Sequence, residues 1–556
     1  MKPIRKSCRN TDVFPVAGII IVITLGVVFS AIITDQGLGI EGDGYYYINA
    51  ARVIAAHWGA GVPGGVDRTL LKEITDYYVY LMELWPIFYP ALLAAVGFSA
   101  DPYPAGRWLH LTFPVVIGLL LWLIVYANKH SHKRAFLAVA LVLLSPHILR
   151  LNCFVFSEMP FLILQLLSLS AVGYYLRNKG VAWLIAAVFF IGLAGLTRYI
   201  GVVMALALGI TVWRTNPGRA FFRRLMISIA CVLLGVLPGI LYMFSSVIYG
   251  KTLYVAGRSL VLKWPLVKAV LFFKKSVRSV ELYLSPLFIS GKLQILFVLL
   301  AAAAIIILFI HQAKKQRRCP PAANVLRLQG YITACVIIYV LLTSFLALFL
   351  DHMLCFTGIT PRHFAPLFVW LVVLVLLTGP APGKAGECGR EPLITRFAGL
   401  FVIILLATFL AASFITALQN RGIAAEARKV WQESTVLEYV RKNEGSEWLV
   451  SNMPGELFHY LRKPVFALPS HYDFFKAQEN PYYAQQMSQI QRLLHQHNGL
   501  VLYFNPYLYL PHEAAYQATT PKECMDMLDL EVLYQDKTGM IMNPRPARPK
   551  AAGNRQ

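Results

Sequence analysis

Eleven apolar stretches recur along this chain, at residues 13–34, 109–127, 135–150, 158–176, 181–196, 199–213, 225–247, 293–311, 329–350, 364–378 and 397–417. Several approach or exceed the roughly 20 residues that cross a bilayer as a helix. No soluble core needs so many uninterrupted apolar segments. With 57% hydrophobic and 14% charged residues, the chain reads as an α-helical polytopic membrane protein of about eleven spans. The first stretch is too long for a signal-peptide h-region and lacks a small-x-small cleavage site, so it reads as a retained signal-anchor helix.

Charge gives the orientation. With the basic N-terminus MKPIRKSCRN placed inside and sides alternated, the segments KHSHKR, RNKG, WRTNPGRAFFRR, HQAKKQRR and GKAGECGREPLITR all fall inside, as the positive-inside rule requires. The first outer loop, residues 35–108, carries eight acids against four Lys/Arg. The net charge of +23 therefore follows the membrane, and nucleic acid is excluded as the natural partner. Eleven spans put residues after 417 outside. One outer segment, 248–292, breaks the pattern. Its KWPLVKAVLFFKKSVRSVELYL spaces bases, Lys274 and Lys275 among them, at helical intervals between apolar residues. It reads either as a helix lying in the interface or as a clamp for a lipid-linked phosphate.

Polar residues at the outward rim carry the chemistry. Just outside the first span, ITDQGLGIEGDGYYYINAARVIA presents Glu41, Asp43 and three tyrosines on a glycine-flanked turn. The same loop supplies Arg107. RLNCFVFSEMPF supplies Glu158, GLTRYIG supplies Arg198, and DHMLCFTGITPRHFAPL supplies His352, Arg362 and His363. Four separate regions thus bring acids, arginines and histidines to one depth on one side, where ionisable groups are costly and usually functional. Spans 181–196 and 199–213 are short and interrupted by Arg198, as in a broken pair lining a cavity. The eight cysteines form no CxxC and no zinc-like spacing.

The order of these features resembles the GT-C superfamily of integral-membrane glycosyltransferases. One span is followed by a loop opening D-G-Y-Y-Y-x-x-A, then W-P-x-F-Y-P-A-L-L-A from Trp85 to Ala94, G-R-W at 106–108, SEMPF, GLTRYIG and T-P-R-H-F-x-P-L. The pattern is similar to the bacterial branch of protein O-mannosyltransferases and lipid A aminoarabinose transferases. The resemblance implies a hexosyl- or pentosyltransferase in a bacterial inner membrane. It would use a polyprenyl-phosphate sugar as donor and a lipid, glycan or protein as acceptor. It places the catalytic acid at Asp43, and Tyr45, Trp85, Tyr89, Glu158 and His363 around the pocket. Many members carry an Asp-Glu pair here; Glu41 and Asp43 are instead separated by Gly42, which leaves open which carboxylate is the base. The developing charge on the leaving phosphate calls for Arg107, Arg198, Arg362, Lys274 and Lys275, or for a divalent metal held by Glu41, Asp43 and His352. No compact ligand motif such as HExxH is present. A flippase for lipid-linked sugars and a non-catalytic partner of an envelope synthase are the rival readings. A flippase would be expected to show pseudo-symmetric halves, which this chain lacks.

Residues 1–417 form the expected membrane domain, 418–545 a soluble α/β domain outside the membrane, and 546–556 a disordered basic tail. In the second domain EWLVSN and GLVLYFN read as buried strands, PGELFHYL and NPYYAQQMSQIQRLLHQHN as helices, and EVLYQDKTGMIM as a strand pair. It has no Gly-rich phosphate loop and no nucleophile elbow. Acceptor binding and a purely structural cap remain equal readings of it.

Overall fold

A computed structural model describes residues 13–40, 43–57, 86–97, 102–215, 220–248, 322–349, 361–378, 393–422, 433–442, 448–461, 465–469, 471–473, 478–504 and 519–545. It also describes the isolated positions 276–277, 283, 303, 306–307, 310 and 431. The expected span 293–311 and the basic segment 248–292 lie almost wholly outside the described residues.

The membrane part is a bundle of helices: α1 (Val13–Ile33), α4 (Pro102–Lys129) and α7 (Glu158–Asn178), with α2 (Asp43–His57) and α3 (Phe88–Ala95) between the first two. Helices α5 (His132–Leu143) and α6 (Pro146–Cys153) precede α7. Helices α8 (Val181–Thr197), α9 (Val202–Thr215), α10 (Phe221–Ile248), α11 (Ala323–Phe349), α12 (Pro361–Leu377) and α13 (Leu393–Gln419) follow it. Among the described residues six helices are long and apolar enough to cross a membrane, and three shorter apolar ones accompany them. The chain is an integral membrane protein. Helix α7 is the hub, packing against α4, α8, α11 and α12.

One expected span is broken rather than continuous. Residues 135–150 are not one helix: α5 and α6 meet at a 58° bend. Pro146 has no N–H to continue the ladder, and it starts α6 as a first-turn proline behind Ser145. The Leu144 carbonyl at the break accepts a hydrogen bond from Ser413 Oγ of α13 at 2.9 Å, so the polar group freed in an apolar setting is satisfied from a neighbouring helix. Helix association in lipid depends on such links and on close packing rather than on the hydrophobic effect. Buried Gln165 of α7 donates to the Pro366 carbonyl at 3.1 Å. Arg134 donates to the carbonyls of Leu376 and Thr378 at the end of α12, at 3.3 and 2.9 Å. Gly209 lets α9 approach α10 so closely that an added Cβ would stand 2.5 Å from Val232.

The interruption at Arg198 is present. Helix α8 ends at Thr197, Arg198 is extended at φ −151° and ψ 128°, and a single 3-10 turn leads into α9.

Beyond the bundle, a five-stranded sheet has the order β2-β1-β5-β7-β6, from β1 (Leu449–Ser451), β2 (Val465–Ala467), β5 (Leu500–Phe504), β6 (Leu530–Gln535) and β7 (Gly539–Pro544). A two-stranded ribbon pairs β3 (Tyr472–Asp473) with β4 (Gln478–Glu479). Strands β2, β1 and β5 are parallel, and β7 runs antiparallel to β5 and β6. Period-two alternation builds two cores. Val501 and Tyr503 pack with Met487 of α16 (Tyr483–His497) and Cys524 of α17 (Pro521–Leu528). Leu502 and Phe504 pack on the other face with Leu437 of α14 (Thr435–Lys442) and Leu457 of α15 (Pro454–Leu461).

Candidate functional site

The segment DGYYYINAARVIAAH is helix α2, not the turn that its glycines suggest. Two backbone hydrogen bonds fix where that helix starts. Gly39 N donates to the Cys153 carbonyl and Val155 N donates to the Gly39 carbonyl, both at 2.9 Å. This short parallel bridge lays the chain after α1 along the segment that leads into α7. Only glycine fits at the crossing, because a Cβ on residue 39 would lie 2.6 Å from the Phe154 ring. The first residue of α2, Asp43, is thereby brought to the N-terminus of α7, whose first residue is Glu158.

Two arginines complete the cluster. Arg362, in the first turn of α12, donates through Nη2 to Asp43 Oδ2 at 2.9 Å and through Nε to Glu158 Oε1 at 2.7 Å. Arg198, at the break between α8 and α9, donates through Nη1 to the same Glu158 oxygen at 2.5 Å and to Ser157 Oγ at 3.3 Å. The Arg362 guanidinium stacks over the Phe156 ring at 3.9 Å, a favourable placement for a cation on an aromatic face. Tyr47, four residues and hence one helical turn after Asp43, shares a 2.9 Å hydrogen bond with Ser157 Oγ.

The cluster has depth. Glu158 is fully buried and Arg198 nearly so, whereas Asp43 and Arg362 keep about a quarter to a third of their side-chain exposure (24% and 31%). The inner carboxylate is neutralised by two cations and sits at the positive end of α7. The outer pair faces the opening. Burial pushes the Asp43 carboxyl above its ordinary value; the nearby Arg362 cation pulls it down without cancelling that rise. Asp43 is thus a stronger base than a solvated aspartate, while its partner arginine is shared with Glu158.

The other expected site residues separate into groups. His363 lies within electrostatic reach of Glu158, and its carbonyl accepts from the Tyr339 hydroxyl of α11. Tyr89 is buried one layer away. Its hydroxyl shares a 2.8 Å hydrogen bond with His110 Nε2, and its ring lies edge-on to Tyr47 at 5.1 Å. Arg107 donates to the Ala31 carbonyl at 3.2 Å, where it caps the last turn of α1. Tyr45 turns away from the cluster to pack its ring against His459 and Tyr460 of α15. Glu41, Trp85, Lys274, Lys275 and His352 lie outside the described residues. Tyr47, Ser157 and Phe156 join the site without having been singled out. Helical spacing from Asp43 would have found Tyr47, and the sequence SE would have pointed to Ser157. Among the described residues no three His, Cys, Asp or Glu side chains converge as a metal site. Any cation bridging Asp43 and Glu158 would have to displace Arg362.

Residues 67–254 match the family model for dolichyl-phosphate-mannose-protein mannosyltransferases. Among solved structures, the chain is similar to ArnT from Cupriavidus metallidurans bound to undecaprenyl phosphate, with TM-score 0.58 and 12% identity over 94% of this chain and 97% of that one. The apo state of the same protein gives TM-score 0.56 and 13% identity over 95% and 98%. No curated protein sequence matches the chain. In fold the chain is similar to ArnT, and the stretch that matches the mannosyltransferase family model lies within the helical bundle.

Proposed function

We propose that the chain transfers a sugar from a polyprenyl-phosphate carrier to an acceptor hydroxyl or amine at the extracytoplasmic face of a bacterial inner membrane. In this orientation the N-terminus is cytoplasmic and the sheet domain lies outside. The observation that carries the reading is the single Arg362 guanidinium bridging Asp43 and Glu158. It joins a partly exposed carboxylate to a buried, doubly compensated one at the end of a membrane bundle. The GT-C fold and the family match support the same reaction class, and undecaprenyl phosphate is what the ArnT structure holds.

The chemistry follows from the geometry. Transfer needs a base for the acceptor proton and positive charge for the departing phosphate. A donor phosphate entering beside Arg362 competes with Asp43 for the guanidinium. Asp43 is then released to accept a hydrogen bond from the acceptor. As the acceptor atom bonds to the anomeric carbon, its proton passes to Asp43 Oδ. The bond from that carbon to the phosphate oxygen breaks, and its electron pair leaves with the phosphate. Arg362 and Arg198 hold the resulting anion, and fully buried Glu158 keeps both guanidiniums aimed without competing as a base.

The test is donor consumption by the purified protein, screened with polyprenyl-phosphate hexoses, pentoses and aminosugars. Release of free polyprenyl phosphate with one donor class supports the reading. Movement of intact lipid-linked sugar across a vesicle without release points instead to a flippase. Inertness toward every donor, alone and with candidate acceptors, points to a non-catalytic partner.

A further inference from the structure

Helix α2 has two occupied faces. Asp43 and Tyr47 turn to the bundle, toward Arg362 and Ser157. Tyr45 and Arg52, seven residues apart and so on one face, turn to the sheet domain. Arg52 Nη1 donates to the His459 carbonyl at 3.0 Å and lies 3.3 Å from His459 Nδ1. His459 is in the last turn of α15, where carbonyls have no partner within their own helix and where the dipole favours a cation. The contact continues into the domain core. Tyr45 meets His459 edge-on at 5.6 Å, Tyr460 stacks on Trp431 at 5.5 Å, and Trp431 packs against Phe504 of β5 at 5.0 Å. One helix thus lies between the charge cluster and the α/β domain.

We propose that Arg52 is a positioning residue, through which the C-terminal domain fixes the rotation and height of α2 and so the place of Asp43. This rests on the sugar-transfer reading above. Asp43 begins α2, and nine residues at 1.5 Å each put Arg52 about 13 Å further along the axis. Small tilts at the Arg52 end therefore displace the carboxylate at the other. A misplacement of about 1 Å can cost up to about 100-fold in turnover, whereas the donor phosphate is held by arginines on α12 and at the α8–α9 break. Loosening the latch should lower kcat and leave donor binding nearly intact.

The experiment uses the full-length protein in lipid nanodiscs, with kcat, donor KM and hydrogen exchange of the α2 amides measured together. Arg52→Ala is expected to lower kcat about 10-fold, to leave donor KM within about 2-fold and to speed exchange in α2. Arg52→Lys, which still reaches the His459 carbonyl, recovers part of the loss. His459→Ala costs less than Arg52→Ala, because the 3.0 Å bond goes to a backbone oxygen that the substitution keeps. Arg545→Ala, on an exposed pair elsewhere in the domain, leaves all three readouts unchanged. Parental kcat and unchanged α2 exchange in Arg52→Ala, with only the melting temperature lowered, would reduce Arg52 to a cap of α15 and overturn the proposal. If Arg52→Ala does not fold, the lysine and His459 variants decide it by the same readouts. A wild-type protein inert toward every donor defeats the sugar-transfer reading instead, and α2 exchange in the variants then settles whether the latch orders the helix.

Discussion

The bundle and the sheet domain both pair bases with carboxylates, for different ends. At the mouth of the bundle, Asp43, Glu158, Arg198 and Arg362 form one continuous set of contacts whose inner carboxylate is fully buried. In the sheet domain, Glu438 pairs with Lys442 at 58% and 70% exposure, and Asp529 with Arg545 at 52% and 54%. In the first group the inner pair, Glu158 and Arg198, is shielded from water, so those charges depend on each other. The second is solvated, and each pair is nearly dispensable. A charged residue matters in proportion to what replaces its water, which is why the cluster reads as machinery and the surface pairs do not.

Substitutions sharpen the contrast. Glu158→Ala leaves Arg198 without its carboxylate and Arg362 with Asp43 alone, and should cost about 3–5 kcal/mol, seen as failed folding or a large fall in melting temperature. Gly39→Ala drives a Cβ into the Phe154 ring and should cost about 1–3 kcal/mol as an overpacked contact. The shift of α2 should lower turnover as well. In the sheet domain, Asp536 accepts from Thr538 N and Oγ1 and from Gly539 N at 2.6–3.0 Å, closing the β6–β7 turn. Asp536→Ala should cost about 1 kcal/mol. Smallest of all, Arg545→Ala should change stability by less than about 0.5 kcal/mol. If Arg545→Ala and Glu158→Ala cost the same, the distinction between the two regions fails.

The pH responses of the two regions should also run in opposite directions. Burial tends to raise Asp536, but the bonds to its carboxylate outweigh that and hold it below its ordinary value of 3.8. Its stabilisation is complete above that value and is lost as pH falls through the lower folded value. Asp43 is raised by burial, against the pull of Arg362. Its contribution to stability is present below 3.8 and is lost as pH rises through the raised folded value, so at neutral pH its charge costs stability. The acid limb of kcat should accordingly fall above 3.8, and it should vanish in a variant that lacks the carboxylate.

Much of this was legible in the chain and some was not. Apolar length and the basic loops gave the helical bundle, and the interruption at Arg198 was visible because a charge there cannot continue an apolar helix. Four polar patches were readable one by one. Their meeting depended on the Gly39–Phe154 bridge, a backbone contact between residues that no periodicity links. The bend at Pro146 was hidden because the flanking residues stay apolar. Tyr45 and Tyr47 look alike in sequence, and only the helical phase of α2 sends one to the sheet domain and the other to Ser157. Arg107 matches Arg198 in type, yet serves α1 as a cap. Strand β2, as short as β1, was not read from the chain.

The central claim is that Asp43 takes the acceptor proton at the mouth of this cluster. The most direct measurement compares polyprenyl phosphate release by the wild-type protein and by Asp43→Asn, with thermal unfolding followed in the same preparations. The account predicts a loss of about 100-fold or more in turnover at equal or higher stability, because the amide removes a charge whose burial is costly. Release at the parental rate by a folded Asp43→Asn protein would contradict it.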